Sequence, residues 1–272
     1  MRNPDQDCRL STLLPAVPAV TAPARVTLMG AGPGDPELLT IKALRALEAA
    51  EVLLYDHLVS DAILSLAPAG AERIYVGKEA SLHTLPQQAI GELMVRLARA
   101  GRRVLRIKGG DGYIFGRGGE EAQVLAEAGV PFGVIPGITA AQGAAACAGI
   151  PLTHRDHARA LVLATGHLQD NRVVDLDWEM LARPQQTVVI YMGLGTLAII
   201  CEQLIAHGLP ESTPAALIER ATQPGQRCVA GTLGELPGLA QSAGVKPPTL
   251  IMIGDVVSLH GQLAPALLAG QD

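Results

Sequence analysis

The sequence is poor in aromatic residues. Its 272 residues hold one Trp, four Tyr and two Phe, 3% of the chain. Proteins that bind single-stranded nucleic acid stack bases on aromatic rings, and this chain has few to offer. It also lacks a cationic surplus: 21 Lys plus Arg face 26 Asp plus Glu, a formal charge of −5. Bulk attraction to polyanions is therefore excluded, and no nucleic-acid partner is expected. None of the four cysteines, Cys8, Cys147, Cys201 and Cys228, stands at CxxC spacing. That argues against a zinc knuckle or dithiol redox site and fits a reducing, cytoplasmic setting. Uninterrupted apolar runs are missing too. Residues 128–153 carry no charge, but Pro131, Pro136 and Pro151 break them and their centre is Ala and Gly, so no membrane span is expected. Residues 10–24 are broken by Pro15, Pro18 and Pro23, and residues 1–24 read as a disordered tail rather than a signal peptide.

What remains is aliphatic. Hydrophobic residues make up 49% of the chain, with 30 Gly and 19 Pro, enough for a core across one or two domains joined by tight turns. Short β-branched runs at 25–29, 52–55, 73–76, 103–108 and 132–135 read as strands. Helical patterns lie between them. Ile90, Leu93, Met94 and Leu97 form one buried stripe over 86–100. A helix over 119–128 stops at Gly129 with Pro131 beyond it. Such alternation predicts an α/β domain with a largely parallel sheet. Strand patterns at 160–165, 187–191, 215–219, 227–231 and 249–253 follow, with only one helix pattern among the last three, which points to a more mixed or antiparallel second half. The expected division is an N-terminal α/β domain over 25–136, a C-terminal α/β domain over 137–265 and a tail over 266–272.

Two glycine-rich turns follow strands. The first, Gly30 to Pro36, fails as a dinucleotide fingerprint: Asp35 occupies the last glycine place, and Pro33 removes an N–H that a pyrophosphate would need. It reads either as a tight strand-to-helix turn or as a backbone wall against which a flat ligand can lie. The second, Lys108 to Glu121, contains six glycines around Asp111 and Arg117 and no Gly-Lys-Ser/Thr. Asp111, at a strand end, is a candidate acceptor for ribose hydroxyls. Glu120 and Glu121 suit a first helical turn, which suffices as an account of Glu121. Seven basic residues lie between Arg96 and Arg117 against Asp111 alone. Arg96, Arg99, Arg102 and Arg103 fit a solvated face, whereas Arg106, Lys108 and Arg117 stand where α/β sheets bind ligands and suggest a small polyanion. Asp56 and Lys78, each at a strand end, form either an acid/base pair or a structural ion pair. His154 and His157 lack a further ligand at metal spacing, so no metal is expected. Arg155 beside them is the better candidate, as an anion contact.

Together, GAGPGDPELLT (30–40), YDHLVS (55–60), VGK (76–78), HTLPQ (83–87), KGGDGYIFGRGGEE (108–121), VIPGITAAQGAAACAGIPLTHRD (134–156) and Met192 in YMG resemble the tetrapyrrole methylases. The FGRGGEE extension resembles the branch that C-methylates uroporphyrinogen III. The likeness covers about residues 25–260. It implies a class III methyltransferase fold: two α/β domains with S-adenosylmethionine in the cleft between them, in a homodimer, releasing S-adenosylhomocysteine. By motif match, Pro33, Gly109, Gly110, Asp111, Ile114, Thr139, Ala140, Met192 and Ala221 would line the cofactor. Asp56 and Lys78 would fall at proton acceptor and donor positions. Arg117 and Glu120 would serve the reaction and, with Arg155 and Met192, the substrate. The implied reaction adds two methyl groups to uroporphyrinogen III, giving precorrin-1 and then precorrin-2, for sirohaem, cobalamin or haem d1. A methylase of a later corrin intermediate and a catalytically silent S-adenosylmethionine-binding protein are the alternatives. The sequence departs from the family pattern at Gly112, where Pro is usual, and at His57 and Glu79, where Arg is common.

Overall fold

A computed structural model describes residues 25–77, 86–166 and 176–267. The first half is a five-stranded sheet of β1 (Val26–Gly30), β2 (Val52–Tyr55), β3 (Glu72–Tyr75), β4 (Val104–Lys108) and β5 (Phe132–Ile135), in the order β3-β2-β4-β1-β5. Every pairing in it is parallel. Its helices are α1 (Ile41–Glu48), α2 (Asp61–Leu64), α3 (Gln87–Arg99) and α4 (Gly118–Glu127). Successive strand residues point to opposite faces, and both faces are covered, as a parallel sheet requires. Val26, Leu28, Val52, Leu54 and Val104 pack with Met94 and Ala98 of α3 and Leu125 of α4. Met29, Leu53, Leu105 and Ile107 pack on the other side with Leu47 of α1 and Ile63 of α2.

α5 (Ala140–Ala148) leads to the second half, a sheet of β6 (Ala160–Thr165), β7 (Gln186–Tyr191), β8 (Pro214–Glu219), β9 (Arg227–Thr232) and β10 (Thr249–Ile253) in the order β6-β7-β10-β8-β9. Only β6 and β7 run parallel; the remaining neighbours are antiparallel, so the sheet is mixed. One face is closed by α6 (Trp178–Leu181), α7 (Leu197–Ala206) and α8 (Leu236–Ser242), through Leu181, Ile200, Leu204 and Leu236. The opposite face receives α5, whose Ala141, Ala144, Ala145 and Ala148 lie against Val189, Tyr191, Ala216, Ile218 and Met252. A short α9 (His260–Leu263) follows. No helix among the described residues is long and apolar enough to cross a membrane.

The small side chains of α5 let other backbone come close. A Cβ on Gly143 would lie 2.7 Å from Cβ of Pro33 and 3.2 Å from a methyl carbon of Thr222. The first glycine-rich turn thus rests directly on the second half. The expected boundary at Pro136 and Gly137 falls in that same junction, where Gly137 packs against the end of β1.

Thr187 of β7 is fully buried, and its hydroxyl has no partner among the described residues. Replacing an unpartnered buried hydroxyl by a methyl group of similar shape removes a desolvation cost. Thr187→Val should therefore leave stability unchanged or raise it by up to about 1 kcal/mol, read as an equal or higher denaturation midpoint. A loss of more than about 1 kcal/mol would mean that a buried water pairs with the hydroxyl.

Candidate functional site

In the parallel sheet the chain leaves β1 towards β2 and leaves β4 towards β5, in opposite directions past each other. The crevice at such a reversal, beyond the C-terminal strand ends, is where open α/β sheets bind ligands. Both glycine-rich turns start there. Backbone bonds close the bottom of the crevice: Ala31 N–H donates to Lys108 O at 2.8 Å, Gly32 N–H to Gly110 O at 3.1 Å and Gly110 N–H to Gly32 O at 2.7 Å. Gly137, after β5, is pressed into the same point. A Cβ on Gly30 would lie 2.6 Å from Gly137 N and 2.7 Å from Gly110 O. No side chain fits at that contact.

Asp111 pins this arrangement. Its Oδ1 accepts from Tyr113 N–H at 2.8 Å, and its Oδ2 accepts from Gly137 N–H at 3.0 Å. The carboxylate read from sequence as a ribose acceptor thus already joins two loops, with one backbone donor on each oxygen.

The second half supplies the other wall. Tyr191, at the end of β7, places its hydroxyl 2.6 Å from Thr139 Oγ1 and accepts from Ala141 N–H at 3.0 Å. It thereby caps α5, whose Thr139 makes no side-chain cap bond. Gln142 and Gly143 N–H donate to Thr139 O, while the N–H of Ala140 at the helix start has no partner among the described residues. The Tyr191 ring meets Phe115 at 4.9 Å between centroids, and Ile114 of the same loop packs into the core beneath α5. On the far side, Asp35 N–H donates to Thr222 Oγ1 at 3.3 Å, Gln223 Nε2 donates to Pro33 O at 3.4 Å, and Ser60 Oγ donates to Gly34 O at 2.8 Å. Pro33, Gly110, Asp111, Ile114, Thr139 and Ala140 therefore share one junction. Ala221 lies between Arg220 and Thr222 on its rim, partly buried against the same core, and Met192 stands exposed beside Tyr191. Gly109 packs on Leu58, where a Cβ would come within 2.8 Å.

Backbone strain gathers here. Of six non-glycine residues with positive φ among the described residues, five lie in these loops: Phe115 at 52°, Arg117 at 58°, Met192 at 54°, Arg220 at 50° and Thr222 at 63°. Such conformations persist only where surrounding contacts hold them.

Charge is arranged differently from the sequence expectation. Arg106 and Lys108 are buried and bind no open anion site. Alternation puts them with Val104 on the sheet face beneath α3 and α4. Their partner is Glu121, a residue assigned above only a first-turn role. Its Oε1 accepts from Lys108 Nζ at 2.8 Å, Gln87 Nε2 at 2.9 Å and Arg106 Nε at 3.2 Å. Burial and the neighbouring Arg106 hold the Lys108 ammonium below its ordinary pKa, partly offset by Glu121. Arg106 Nη2 also reaches Asp56 Oδ2 at 3.3 Å, while Asp56 Oδ1 accepts from Leu58 N–H at 3.0 Å. Lys78, the proposed partner of Asp56, lies outside the described residues.

Arg117 forks onto Glu120 at 2.9 and 2.6 Å, and the pair is exposed. Their hydrogen bond raises the guanidinium pKa and lowers that of the carboxyl. Arg102 and Arg103 pair with Glu72 and Glu51 on the surface, as a solvated face implies. Arg155 is exposed in a turn closed by the His154–Ala158 bridge. His154 and His157 face each other at 4.8 Å, and no group of three metal-ligating side chains occurs among the described residues. Two open depressions, of roughly 840 and 290 Å³, lie elsewhere, beside α7 and below β7.

Tyr191, Phe115, Thr222 and Glu121 escaped the sequence reading. Glu121 had a signal: it falls on the buried stripe of α4 with Gly118, Ala122 and Leu125.

Residues 25–237 match the family described as Tetrapyrrole (Corrin/Porphyrin) Methylases. The siroheme synthase of Nitrosospira multiformis is 58% identical over 239 residues, 88% of this chain and 50% of that protein. The chain spans about half the length of the curated relatives it matches. The uroporphyrin-III C-methyl transferase of Thermus thermophilus, solved with S-adenyl homocysteine, is 40% identical with a TM-score of 0.76, over 89% of this chain and all of that one. A cobalt precorrin-4 methyltransferase is 27% identical with a TM-score of 0.77, over 88% and 99%.

Tyr191→Phe keeps the ring on Phe115 but leaves Thr139 Oγ1 and Ala141 N–H without their partner. A loss of about 1–3 kcal/mol in unfolding free energy is expected. Burial also raises the Tyr191 pKa above its ordinary 10.0. A raised pKa gives stability that is present below pH 10 and is lost as pH rises past it through the folded value. The difference between wild type and Tyr191→Phe should therefore shrink above pH 10. Equal midpoints at pH 8 would remove the hydroxyl from the account of α5.

Proposed function

The chain belongs to the tetrapyrrole methylases, and on that premise we propose that it binds S-adenosylmethionine at the junction of the two sheets and C-methylates uroporphyrinogen III. The observation that carries this reading is the meeting of Asp111, Thr139 and Ala140 between two glycine-rich turns and Tyr191. The donor set suits the cofactor. It is mostly backbone, with the open Ala140 N–H, the thioether of Met192 and the apolar Ile114, and it carries no excess of cations to oppose a sulfonium. Pro33, Gly109, Gly110 and Ala221 would complete the cradle. The bound sulfonium supplies an activated methyl group, so no metal is needed for the transfer.

The chain's own residues then have three tasks. They hold an electron-rich ring carbon in line with the methyl group, at ~3–3.5 Å in a reactive geometry. Leu58, Tyr113, Phe115 and Met192 are exposed apolar side chains on the loops around the junction and offer a flat ring its wall. They take the proton that leaves the methylated carbon. Asp56 at the end of β2 is the proposed acceptor, each oxygen taking one bond among the described residues, from Leu58 and from Arg106, and Lys78 is the proposed donor partner. They also bind the ring's carboxylates. Arg117 and Arg155 are exposed cations in an acidic chain. Glu120 holds the Arg117 fork until a substrate carboxylate takes it, an exchange that costs little because exposed pairs are worth about 0–1 kcal/mol. Arg117 sits at a left-handed position before a helix, where neither backbone nor helix dipole favours a long cation. The proposed reaction proceeds twice, through precorrin-1 to precorrin-2, in a cytoplasmic homodimer with an N-terminal domain over 25–136 and a C-terminal one over 137–265.

Incubation with uroporphyrinogen III and S-adenosylmethionine bearing a labelled methyl group should add two labels per tetrapyrrole by mass spectrometry. One label would limit the enzyme to the first step. None, with transfer to a later corrin instead, would overturn the substrate. Arg117→Lys keeps the charge and loses the planar fork. It should retain melting temperature and S-adenosylhomocysteine affinity while methylation falls on the order of 10-fold or more. A lowered melting temperature with full activity would make the pair with Glu120 structural.

A further inference from the structure

Resting on the reading of Asp56 as the group that receives the ring proton, we propose that Glu121 is a positioning residue for that transfer, acting through Arg106. Its side chain is 0% exposed, so it touches neither substrate nor cofactor. It is nonetheless the hub of the charges beneath the site. Three donors from two elements, Gln87 at the start of α3 and Arg106 and Lys108 on β4, converge on one oxygen, Oε1. The other oxygen, Oε2, is buried with no partner among the described residues.

The Arg106 guanidinium is stretched between this carboxylate and Asp56. Its Nε donates to Glu121, its Nη1 to Ile107 O at 2.8 Å and its Nη2 to Asp56 Oδ2. Every edge of the guanidinium is engaged, so the planar group has one orientation. Asp56 in turn is held from two sides, by Arg106 and by Leu58 N–H. Its side chain is 20% exposed, at the open end of the network. The chain of contacts thus runs from a fully buried anion, through a fixed fork, to a partly exposed carboxylate just past the C-terminal end of β2.

Stability alone does not account for this arrangement. Burying ions costs desolvation free energy that their mutual attraction offsets only in part, and apolar residues of similar size commonly do as well. Here two cations compete for one carboxylate oxygen while the second oxygen has no donor among the described residues. What the arrangement supplies is orientation of Arg106, at the C-terminal strand ends where the ligand binds.

Glu121→Gln should lower turnover of uroporphyrinogen III on the order of 10–100-fold, the scale of a misplaced group. KM for S-adenosylmethionine and affinity for S-adenosylhomocysteine should stay within about twofold, since the cofactor junction contains none of these side chains. The single variant leaves Lys108 without its anion and Arg106 with Asp56 alone, and can fail to fold. Lys108→Met with Glu121→Gln removes one cation together with the anion. In that double variant the melting temperature should recover while kcat stays low. Recovery of kcat along with the melting temperature would make Glu121 structural and overturn the proposal. Asp56→Asn, measured alongside, separates the premise: wild-type turnover there would remove Asp56 as acceptor. An inactive Asp56→Asn beside an active double variant would reject the positioning role alone.

Discussion

The carboxylate of Asp111 holds the candidate site together. One oxygen fixes the turn of its own loop through Tyr113, and the other holds Gly137 against the ends of β1 and β4. That contact works because Gly30, Gly110 and Gly137 carry no side chains where their backbones touch. Once these three loops are joined, Ile114 and Phe115 reach the second half, Thr139 begins α5 under the Tyr191 hydroxyl, and Pro33 rests on Gly143. Under the proposed function, Asp111 would thus act on the cofactor first by shaping backbone. A ribose hydroxyl would find its oxygens already oriented.

Charge follows a second rule. The chain is acidic overall, yet β4 carries two cations below the crevice, paired with Glu121 from inside and, through Arg106, with Asp56. The cations left at the surface of the loops, Arg117 and Arg155, are on flexible stems, and Arg117 has a partner that a stronger carboxylate contact can displace. Buried charge therefore sets geometry, and under the proposed function exposed charge is left for the substrate. The proposed acceptor Asp56 sits where the two regimes meet.

Much of the architecture was legible in the sequence. Alternation of β-branched runs with helical stripes located all ten strands to within about a residue at most ends, because burial on both faces leaves a strong apolar signal. The scarcity of helix patterns late in the chain pointed to the mixed second sheet. The motifs located the loops but not their internal bonds. Arg106 and Lys108 were read as ligand contacts because strand ends usually face ligands, and sequence does not show which face of the sheet a strand-end side chain takes once helices cover it. Glu121 was dismissed by position in the first turn, although its spacing from Ala122 and Leu125 put it on the buried stripe. Tyr191 and Thr222 were missed because their roles depend on contacts with residues 50 or more positions away. Lys78 remains a proposal from motif alone.

The most direct test concerns Asp111. Asn at this position keeps the size of the side chain but turns one acceptor oxygen into a donor amide, set against either Tyr113 N–H or Gly137 N–H. Titration of folded Asp111→Asn with S-adenosylhomocysteine by calorimetry should show affinity weakened on the order of 10-fold or more, as expected when a hydrogen bond to a charged group is lost. Wild-type affinity in a folded variant would contradict the claim that this carboxylate builds the cofactor site.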